Sequence, residues 1–364
     1  MTTDLFDLTL NEEQRITREN MLRFVRESLT PAARQADDQA AMNSDLISAI
    51  HDFGLALMPV PEALGGVGLP RSPLSNALAC EDLGTGDMSH ALAALQPMAA
   101  VNALMDFGSE EQQEQWLPGL ASEQWQGAAV ALVEPRATFE PTELHTRAER
   151  DGESFTLTGS KGLVPAGESC QWFLVVAATA DGPGAFIVPA DAQGLTVSAE
   201  PAMGLRSAGL CSLVLDQVKV SADQRLPHFD LERLLGLSWI GLCALSVGCC
   251  QSVLDYAIPY VKERKAFGEP IAWRQSVAFM VSDMAIELEG MRLMMLRAAS
   301  RAEQGLPFYK EAYLAHLQCM EKAMAIGTNG IQLFGGAGFV RDYPLEMWYR
   351  NLRSIAVLHG SLMV

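Results

Sequence analysis

The chain has 364 residues, enough for two or three domains that each bury a core. Hydrophobic residues make up 49% and charged residues 19%, a composition typical of globular chains and not of disordered ones. The formal net charge of -18 argues against nucleic acid and anionic membranes as partners, because an acidic surface repels both.

The first third of the chain has the apolar spacing of helices. Asn11, followed by acidic residues, predicts an N-cap, and a second helix begins at Ser44. Helical patterns also run from Leu74 to Leu83 and from His90 to Met105. The segment PEALGGVGLP at residues 61–70 is rich in Gly and Pro, and we expect a loop there.

The pattern changes after Gly127. Short apolar or β-branched runs, separated by Gly, Pro, Asp and Ser, predict strands of a small β-barrel or sandwich. These runs are Phe155–Thr158, Trp172–Ala177, Ala185–Val188 and Leu213–Leu215.

The last third is helical again, and three long patterns with few breakers predict an antiparallel bundle. They run from Phe229 to Tyr260, from Arg274 to Gln304 and from Phe308 to Phe334. The uncharged stretch from Leu234 to Cys250 is at the short limit for a membrane span, and we expect a buried helix instead.

The chain contains seven cysteines, an odd number, and none forms a C-x-x-C pair. This usage predicts reduced thiols and a cytoplasmic protein. The segment MTTDLFDLTLNEEQ is acidic and has no apolar core, so we expect no signal peptide.

Four groups of motifs follow one another along the chain. EEQR and PEALGGVGL lie in the first third, and YVKERKAFG begins at Tyr260. The third group consists of Gln275 with Asp283 and Met284. The fourth begins at Gln332 with QLFGGAGF and continues with DYP and YRN. They resemble E-E-Q-x, P-E-x-Y-G-G-x-G-L, Y-x-x-x-R-x-x-F-G, F-Q-x-x-Q-x-x-L-A-D-M and Q-x-x-G-G-x-G-Y…E-Y-P…Y-R-D of the acyl-CoA dehydrogenase family. The resemblance covers nearly the whole chain.

The resemblance implies an α+β fold with three domains. These are an N-terminal helical domain (1–126), a middle β-barrel or sandwich domain (127–228) and a C-terminal four-helix bundle (229–364). It also implies FAD-dependent α,β-dehydrogenation of an acyl thioester, with a carboxylate base and hydride transfer to flavin N5. The acyl group is carried by coenzyme A or by a carrier protein, and an electron-transferring flavoprotein is a candidate acceptor. We expect at least a dimer.

Several residues match family positions that contact FAD, and the resemblance assigns them to the cofactor. Arg264 corresponds to the arginine that pairs with the pyrophosphate, and Phe267 to the residue packed on the adenine end. The glycines of the Gln332 motif allow the backbone to approach the dinucleotide. The full set is Val133, Arg264, Phe267, Gln275, Gln332, Gly335, Gly336 and Ser361. No residue is assigned to a metal.

The catalytic base is not where most of the family has it. The glutamate slot of Y-R-D-x-x-x-x-x-x-x-E-G-T holds His359 here. A minority of the family carries the base before an arginine at the start of the first bundle helix, where this chain has Glu232 and Arg233. Glu232 is therefore the predicted base, and Arg233 and Asp230 are the predicted substrate contacts. Two alternatives stay open: Glu232 and Asp230 form an ordinary helix cap, or His359 is the base.

The chain departs from the family at positions that face the flavin. Val133 replaces a threonine, Phe139 a serine, Leu163 a tryptophan, and Pro165 a threonine that donates near flavin N5. In the Met203–Ala208 segment the serine of R-x-S is displaced or lost. These changes suggest a second hypothesis. The chain would be a non-catalytic subunit that completes the FAD site of a related partner in a mixed oligomer.

Overall fold

A computed structural model describes residues 9–364, so most of the acidic stretch in which no signal peptide is expected lies outside the described residues. The first third is helical, as predicted. Its α-helices are α1 (Glu12–Phe24), α2 (Thr30–Gln39), α3 (Ser44–His51), α4 (Pro73–Gly84), α5 (Met88–Ala94), α6 (Gln96–Phe107) and α7 (Glu110–Leu120).

The predicted N-cap of α1 is confirmed. The side chain of Asn11 accepts a hydrogen bond from the backbone N–H of Gln14, and the Gln14 side chain accepts one from the backbone N–H of Asn11. This reciprocal pair satisfies two of the N–H groups that a helix start leaves open. The predicted loop at 61–70 contains only one short 3-10 turn, Glu62–Leu64.

The middle of the chain forms one mixed sheet of seven strands within the described residues. The order is β1-β4-β2-β3-β7-β6, and β5 pairs with β4. Strand β4 pairs in parallel with β1 and antiparallel with β5. The strands are β1 (Gly127–Ala131), β2 (Arg147–Asp151), β3 (Ser154–Val164), β4 (Cys170–Thr179), β5 (Gly182–Pro189), β6 (Leu195–Ala199) and β7 (Cys211–Ser221).

The core of this sheet is built from the strands that the sequence predicts. Phe155, Phe173 and Phe186 are buried together with the valines and leucines of β3, β4, β5 and β7. The rings of Phe155 and Phe186 lie 5.0 Å apart between centroids, at 59°. Aromatic pairs at this separation stabilise a core beyond their buried area.

The last third contains four α-helices joined by short turns and one two-stranded hairpin. They are α8 (Leu231–Glu263), α9 (Gln275–Glu303), α10 (Tyr309–Phe334) and α11 (Leu345–Leu352), and the hairpin strands are β8 (Lys265–Ala266) and β9 (Glu269–Pro270). Helices α9 and α10 pack against each other, and α10 packs against α11. The element order of helices, sheet and helices confirms the predicted α+β fold class.

Helix α8 is buried, as expected. By length and composition it is the one helix of residues 9–364 that could cross a membrane, yet 94% of its most apolar 18-residue stretch is buried inside the protein. Such burial is typical of the central helix of a folded domain.

The described chain forms two compact units. The first unit holds residues 9–35, 72–88 and 240–356, and the second holds residues 36–71, 89–239 and 357–364. The sheet lies within the second unit, and α9, α10 and α11 lie within the first. The domain boundaries at 126/127 and 228/229 stay a prediction.

A close crossing of α4 and α8 in the first unit depends on two glycines. A Cβ atom at Gly248 would collide with the backbone carbonyl of Glu81, and one at Gly84 would collide with that of Leu245. Backbone carbonyls cannot move aside as a flexible side chain can. The two helices therefore approach each other only where both lack side chains.

We expect Gly248→Ala to lower the free energy of unfolding by about 1–3 kcal/mol, the usual cost of overpacking. The matched control is Gly290→Ala in α9, where a Cβ would meet no atom within 4 Å. That change should stabilise the helix by about 0.5–1 kcal/mol. Urea unfolding of both variants measures the difference, and equal effects would contradict the proposed crossing.

Candidate active site

The start of α8 presents three of the predicted site residues in the second unit. Asp230 caps the helix, because its Oδ1 accepts from the backbone N–H of Arg233 at 3.1 Å. The side chain of Glu232 is exposed in the first helical turn. The cap alternative is thus correct for Asp230. Its predicted substrate contact, and the role of Glu232 as base, stay predictions.

Arg233 is held in place by Asp106, a residue of α6. Its Nε atom donates to Asp106 Oδ2 at 2.8 Å. The same oxygen accepts from Nη1 of Arg71 at 2.7 Å, and Arg71 also donates to the backbone oxygen of Val364. One carboxylate therefore fixes two guanidinium groups, and charge-assisted bonds of this kind are the stronger ones in proteins.

His359 is half-buried against two aromatic side chains. The indole Nε1–H of Trp239 donates to its Nδ1 at 3.2 Å, and the two rings meet edge-on with centroids 6.4 Å apart. The ring of Phe139 is tilted by 49° to the imidazole, and their centroids are 6.1 Å apart. Burial lowers the pKa of His359 below its ordinary value, and Glu140 opposes this only in part.

Gly360 and Ser361 follow His359 in a backbone segment bonded to α6. Gly360 has φ +72°, and a Cβ there would lie 2.7 Å from a methyl group of Leu132, so the position requires glycine. The side chain of Gln96 donates to the backbone oxygen of Ser361 at 2.7 Å. The Ser361 hydroxyl is buried without a partner among the described residues, and its predicted contact with FAD stays a prediction.

The positions at or just after the ends of β1 and β3 that the resemblance assigns to the flavin face carry no hydrogen-bonding side chain. Val133 and Pro165 are buried, and Leu163 is half-buried with φ +54°. The backbone N–H of Leu163 already donates to Glu200 Oε2 at 2.7 Å. Pro165 has no N–H to offer.

Glu134, the residue after Val133, forms a buried ion pair with Lys161. Lys161 Nζ donates to Glu134 Oε1 at 3.1 Å and to the backbone oxygen of Leu132 at 3.0 Å. Glu134 also accepts from the backbone N–H groups of His145 and Thr146. Burial lowers the pKa of Lys161 to about 8 in spite of the opposing carboxylate. Burial acts to raise the pKa of Glu134, but Lys161 and the two N–H groups hold it below its ordinary value.

The first unit exposes the other group of predicted residues. Arg264 follows directly after α8, and Phe267 lies at the tip of the β8–β9 hairpin with 96% of its surface exposed. Phe267 and Gly268 have φ +55° and +87°, the signs of a type I′ turn. A phenylalanine at positive φ costs about 1–2 kcal/mol. Such strain, carried by an exposed aromatic ring, is typical of a binding position.

The Gln332 segment lies at the same end of the first unit as Arg264. The rings of Tyr260 and Phe334 stack with centroids 3.7 Å apart and an angle of 12° between their planes. Tyr260 lies about one helical turn before Arg264, and Phe334 lies within the Gln332 segment. Gln332 is exposed. A Cβ at Gly335 or Gly336 would meet no atom of the chain within 4 Å, and Gly335 has φ +59°. Gln275, the first residue of α9, is also exposed.

A cleft of about 600 Å³ lies elsewhere in the first unit. Arg18, Glu81, Asp82 and Arg292 line its polar side, and they are largely paired with one another. It contains none of the predicted site residues, and we assign it no part in the chemistry.

Sequence reasoning did not identify Trp239 or Asp106. Both lie in apolar helical patterns, where a tryptophan or an aspartate gives no signal of its own. Their partners His359 and Arg233 are 120 and 127 residues away in the chain. Only the folded structure brings these pairs together.

Known proteins resemble this chain along nearly its whole length. Three acyl-CoA dehydrogenase family models match it: the N-terminal domain at residues 11–124, the middle domain at 129–218 and the C-terminal domain at 231–364. "Probable acyl-CoA dehydrogenase fadE25" of Mycobacterium leprae is 32% identical over 372 residues, covering 98% of this chain and 94% of that protein.

Two solved structures extend the comparison to the fold. Butyryl-CoA dehydrogenase from Megasphaera elsdenii has a TM-score of 0.88 and 27% identity, covering 98% of this chain and 96% of that one. The FAD complex of PigA has a TM-score of 0.88 and 26% identity, with the same coverage. FAD, the predicted cofactor, is the cofactor named for that neighbour.

These matches confirm three predictions from the sequence: the family, the fold class and the class of enzyme. The roles of the individual site residues stay predictions. Three domain models match in order and one relative aligns to 98% of this chain, so the chain belongs to the acyl-CoA dehydrogenase family.

Proposed function

We propose that this protein removes the α- and β-hydrogens of an acyl thioester, with Glu232 as the base that takes the α-proton. One observation carries the assignment of the base. The exposed carboxylate of Glu232 lies seven residues before Trp239 on α8, and Trp239 bonds His359. Residues seven apart share a helix face to within about 20°. Glu232 therefore projects from the same face of α8 as Trp239. Trp239 in turn contacts His359, which occupies the slot that the motif resemblance assigns to the base.

The neighbours of Glu232 suit this task. The Asp230 cap fixes the helix start, and the dipole of a helix N-terminus stabilises a carboxylate. Asp106 holds Arg233 next to the base, where its guanidinium can meet the thioester tail of the substrate. Arg233 is half-buried, so part of the side chain can reach a ligand.

FAD is the cofactor we propose, and the first unit fits its dinucleotide end. The open glycines at 335 and 336 leave room for a pyrophosphate beside the backbone, and Arg264, Gln275 and Gln332 are exposed. Phe267 offers an exposed ring to the adenine. When bound, FAD supplies the acceptor for the β-hydride at its N5 atom.

The first unit also supports an oligomer. Helix α9 exposes Phe279, Ile286 and Leu293 at 62%, 68% and 44%, and the heptad spacing places them on one stripe. Exposed apolar stripes of this kind mark contacts between chains. We propose at least a dimer, a coenzyme A or carrier-bound thioester as substrate, and an electron-transferring flavoprotein as acceptor.

A second candidate function rests on the flavin end of the site. Val133, Leu163 and Pro165 offer no side-chain donor, and Phe139 is bulkier than the serine it replaces. Reduced flavin gains negative charge, which such a surface does not stabilise. In this alternative the chain binds no flavin alone, and its Arg264 end completes the FAD site of a related partner.

The visible absorption spectrum of the purified protein, before and after denaturation, separates the two functions. The enzyme predicts flavin bands near one FAD per chain that bleach when acyl-CoA esters of varied length are added without oxygen. A colourless protein that stays colourless with added FAD would exclude the autonomous enzyme. Flavin appearing only with a partner subunit would establish the alternative.

A further inference from the structure

His359 occupies the slot that the motif resemblance assigns to a glutamate base, and its neighbours determine which hydrogen bonds its ring can form. The ring contacts Trp239 on one side and Phe139 on another. Of these two neighbours only Trp239 has a polar atom, and its Nε1 lies 3.2 Å from Nδ1 of His359. The contact spans 120 residues and joins the third turn of α8 to the segment after α11.

The chemistry of the indole determines the direction of this hydrogen bond. An indole N–H can donate and cannot accept, so Nδ1 of His359 must be the acceptor and carries no proton. A neutral imidazole has one N–H, which then lies on Nε2. We propose that Trp239 is a positioning residue that holds His359 in the Nε2–H tautomer, so that the imidazole acts as a hydrogen-bond donor and not as a base. The functional consequence rests on the proposed dehydrogenation.

Protonation of His359 would disrupt this arrangement. An imidazolium carries a proton on Nδ1, which would point at the indole N–H and replace one hydrogen bond by two opposed donors. Burial disfavours the charged ring as well. Glu140 is the charged group that favours it, from an exposed position, while the guanidinium of Arg136 lies 5.6 Å above the Phe139 ring.

A fixed donor suits the reaction better than a second base would. Removing an α-proton places negative charge on the thioester oxygen, and a prepared N–H donor stabilises such charge. In the Nε2–H tautomer neither ring nitrogen can accept a proton without loss of the Trp239 bond. The histidine slot and the glutamate of α8 therefore have different tasks.

Nitrogen NMR of the whole protein, labelled with ¹⁵N only in histidine, tests the inference without reference to activity. Protonated and unprotonated ring nitrogens resonate far apart, and His359→Gln identifies the signals among the six histidines. At neutral pH we expect an unprotonated Nδ1 and a protonated Nε2. A protonated Nδ1 at neutral pH would overturn the proposal.

Trp239→Phe then removes the N–H and keeps an aromatic ring. We expect its His359 to populate both tautomers and to titrate with a higher pKa than in the wild type. Phe139→Leu, the matched control, removes the other ring contact and should leave the tautomer unchanged. An unaltered tautomer in Trp239→Phe would contradict the role of Trp239. Because the tautomer is read directly, this result is independent of whether Glu232 proves to be the base.

Discussion

Replacing Glu232 with glutamine should lower the rate of α-proton removal by roughly 10²–10⁴-fold, the usual contribution of a general base. Glutamine keeps the shape of the side chain and its place in the first turn of α8, but it cannot accept the proton. Binding of the thioester should change little, since Arg233 and its Asp106 partner are untouched. The loss should therefore appear in kcat and leave KM nearly constant.

Exchange of the substrate α-hydrogen with solvent deuterium, followed by mass spectrometry, measures this step directly. The matched control is Glu110→Gln, because Glu110 is also an exposed glutamate in the first turn of a helix of the second unit. It should cost only the small helix-dipole contribution, about 0.3–1 kcal/mol of stability. Wild-type exchange in Glu232→Gln would reject Glu232 as the base. A loss in His359→Gln, together with a protonated Nδ1 of His359 in the wild type, would then assign the base to His359.

Long periodic helices were the most predictable part of the fold. The sequence predicts helices at 229–260, 274–304 and 308–334, and the structure has Leu231–Glu263, Gln275–Glu303 and Tyr309–Phe334. Such helices bury one face over many turns, so their apolar spacing repeats often enough to be recognised. Their ends depend on caps and turns, which explains differences of up to three residues.

Three strands of the sheet were not predicted, for reasons visible in their sequences. Strand β2 reads RAERD, with one buried residue among five, and β6 reads LTVSA with none fully buried. Strand β1 reads GAAVA and is buried throughout by small residues. Each is held by hydrogen bonds to a neighbouring strand, and such pairing has no local signature in the sequence.

The candidate site was predictable only in its local parts. Asp230, Glu232 and Arg233 are consecutive or nearly so, and their helix-start pattern is legible in the sequence. The bonds from Trp239 to His359 and from Arg233 to Asp106 join distant segments, and no periodicity predicts them. The motif match located the slot at residue 359, but the tautomer that a histidine adopts there depends on a neighbour that the motif does not include.

The buried ion pair between Lys161 and Glu134 should give the second large effect. We expect Lys161→Met to lower the free energy of unfolding by about 3–5 kcal/mol, because the buried Glu134 carboxylate loses the ammonium group that bonds it and keeps only the longer contact to Arg136 Nε at 3.5 Å. Lys161 is fully buried and Glu134 nearly so, which leaves little room for water to replace the ammonium group. Urea unfolding followed by tryptophan fluorescence and circular dichroism measures the loss.

Two controls separate the uncompensated charge from other effects. Lys219→Met changes an exposed lysine of β7 in the same sheet and should stay within about 0.5 kcal/mol of the wild type. The double variant Lys161→Met with Glu134→Gln removes both charges and should recover part of the loss, because no buried charge is left unpaired. If the double variant were as unstable as the single one, the cost would lie in the lost bond from Lys161 to the Leu132 carbonyl. In that case Lys161 would serve mainly to fix the backbone next to Val133. The stability of the segment after β1 would then not depend on the charge of Glu134.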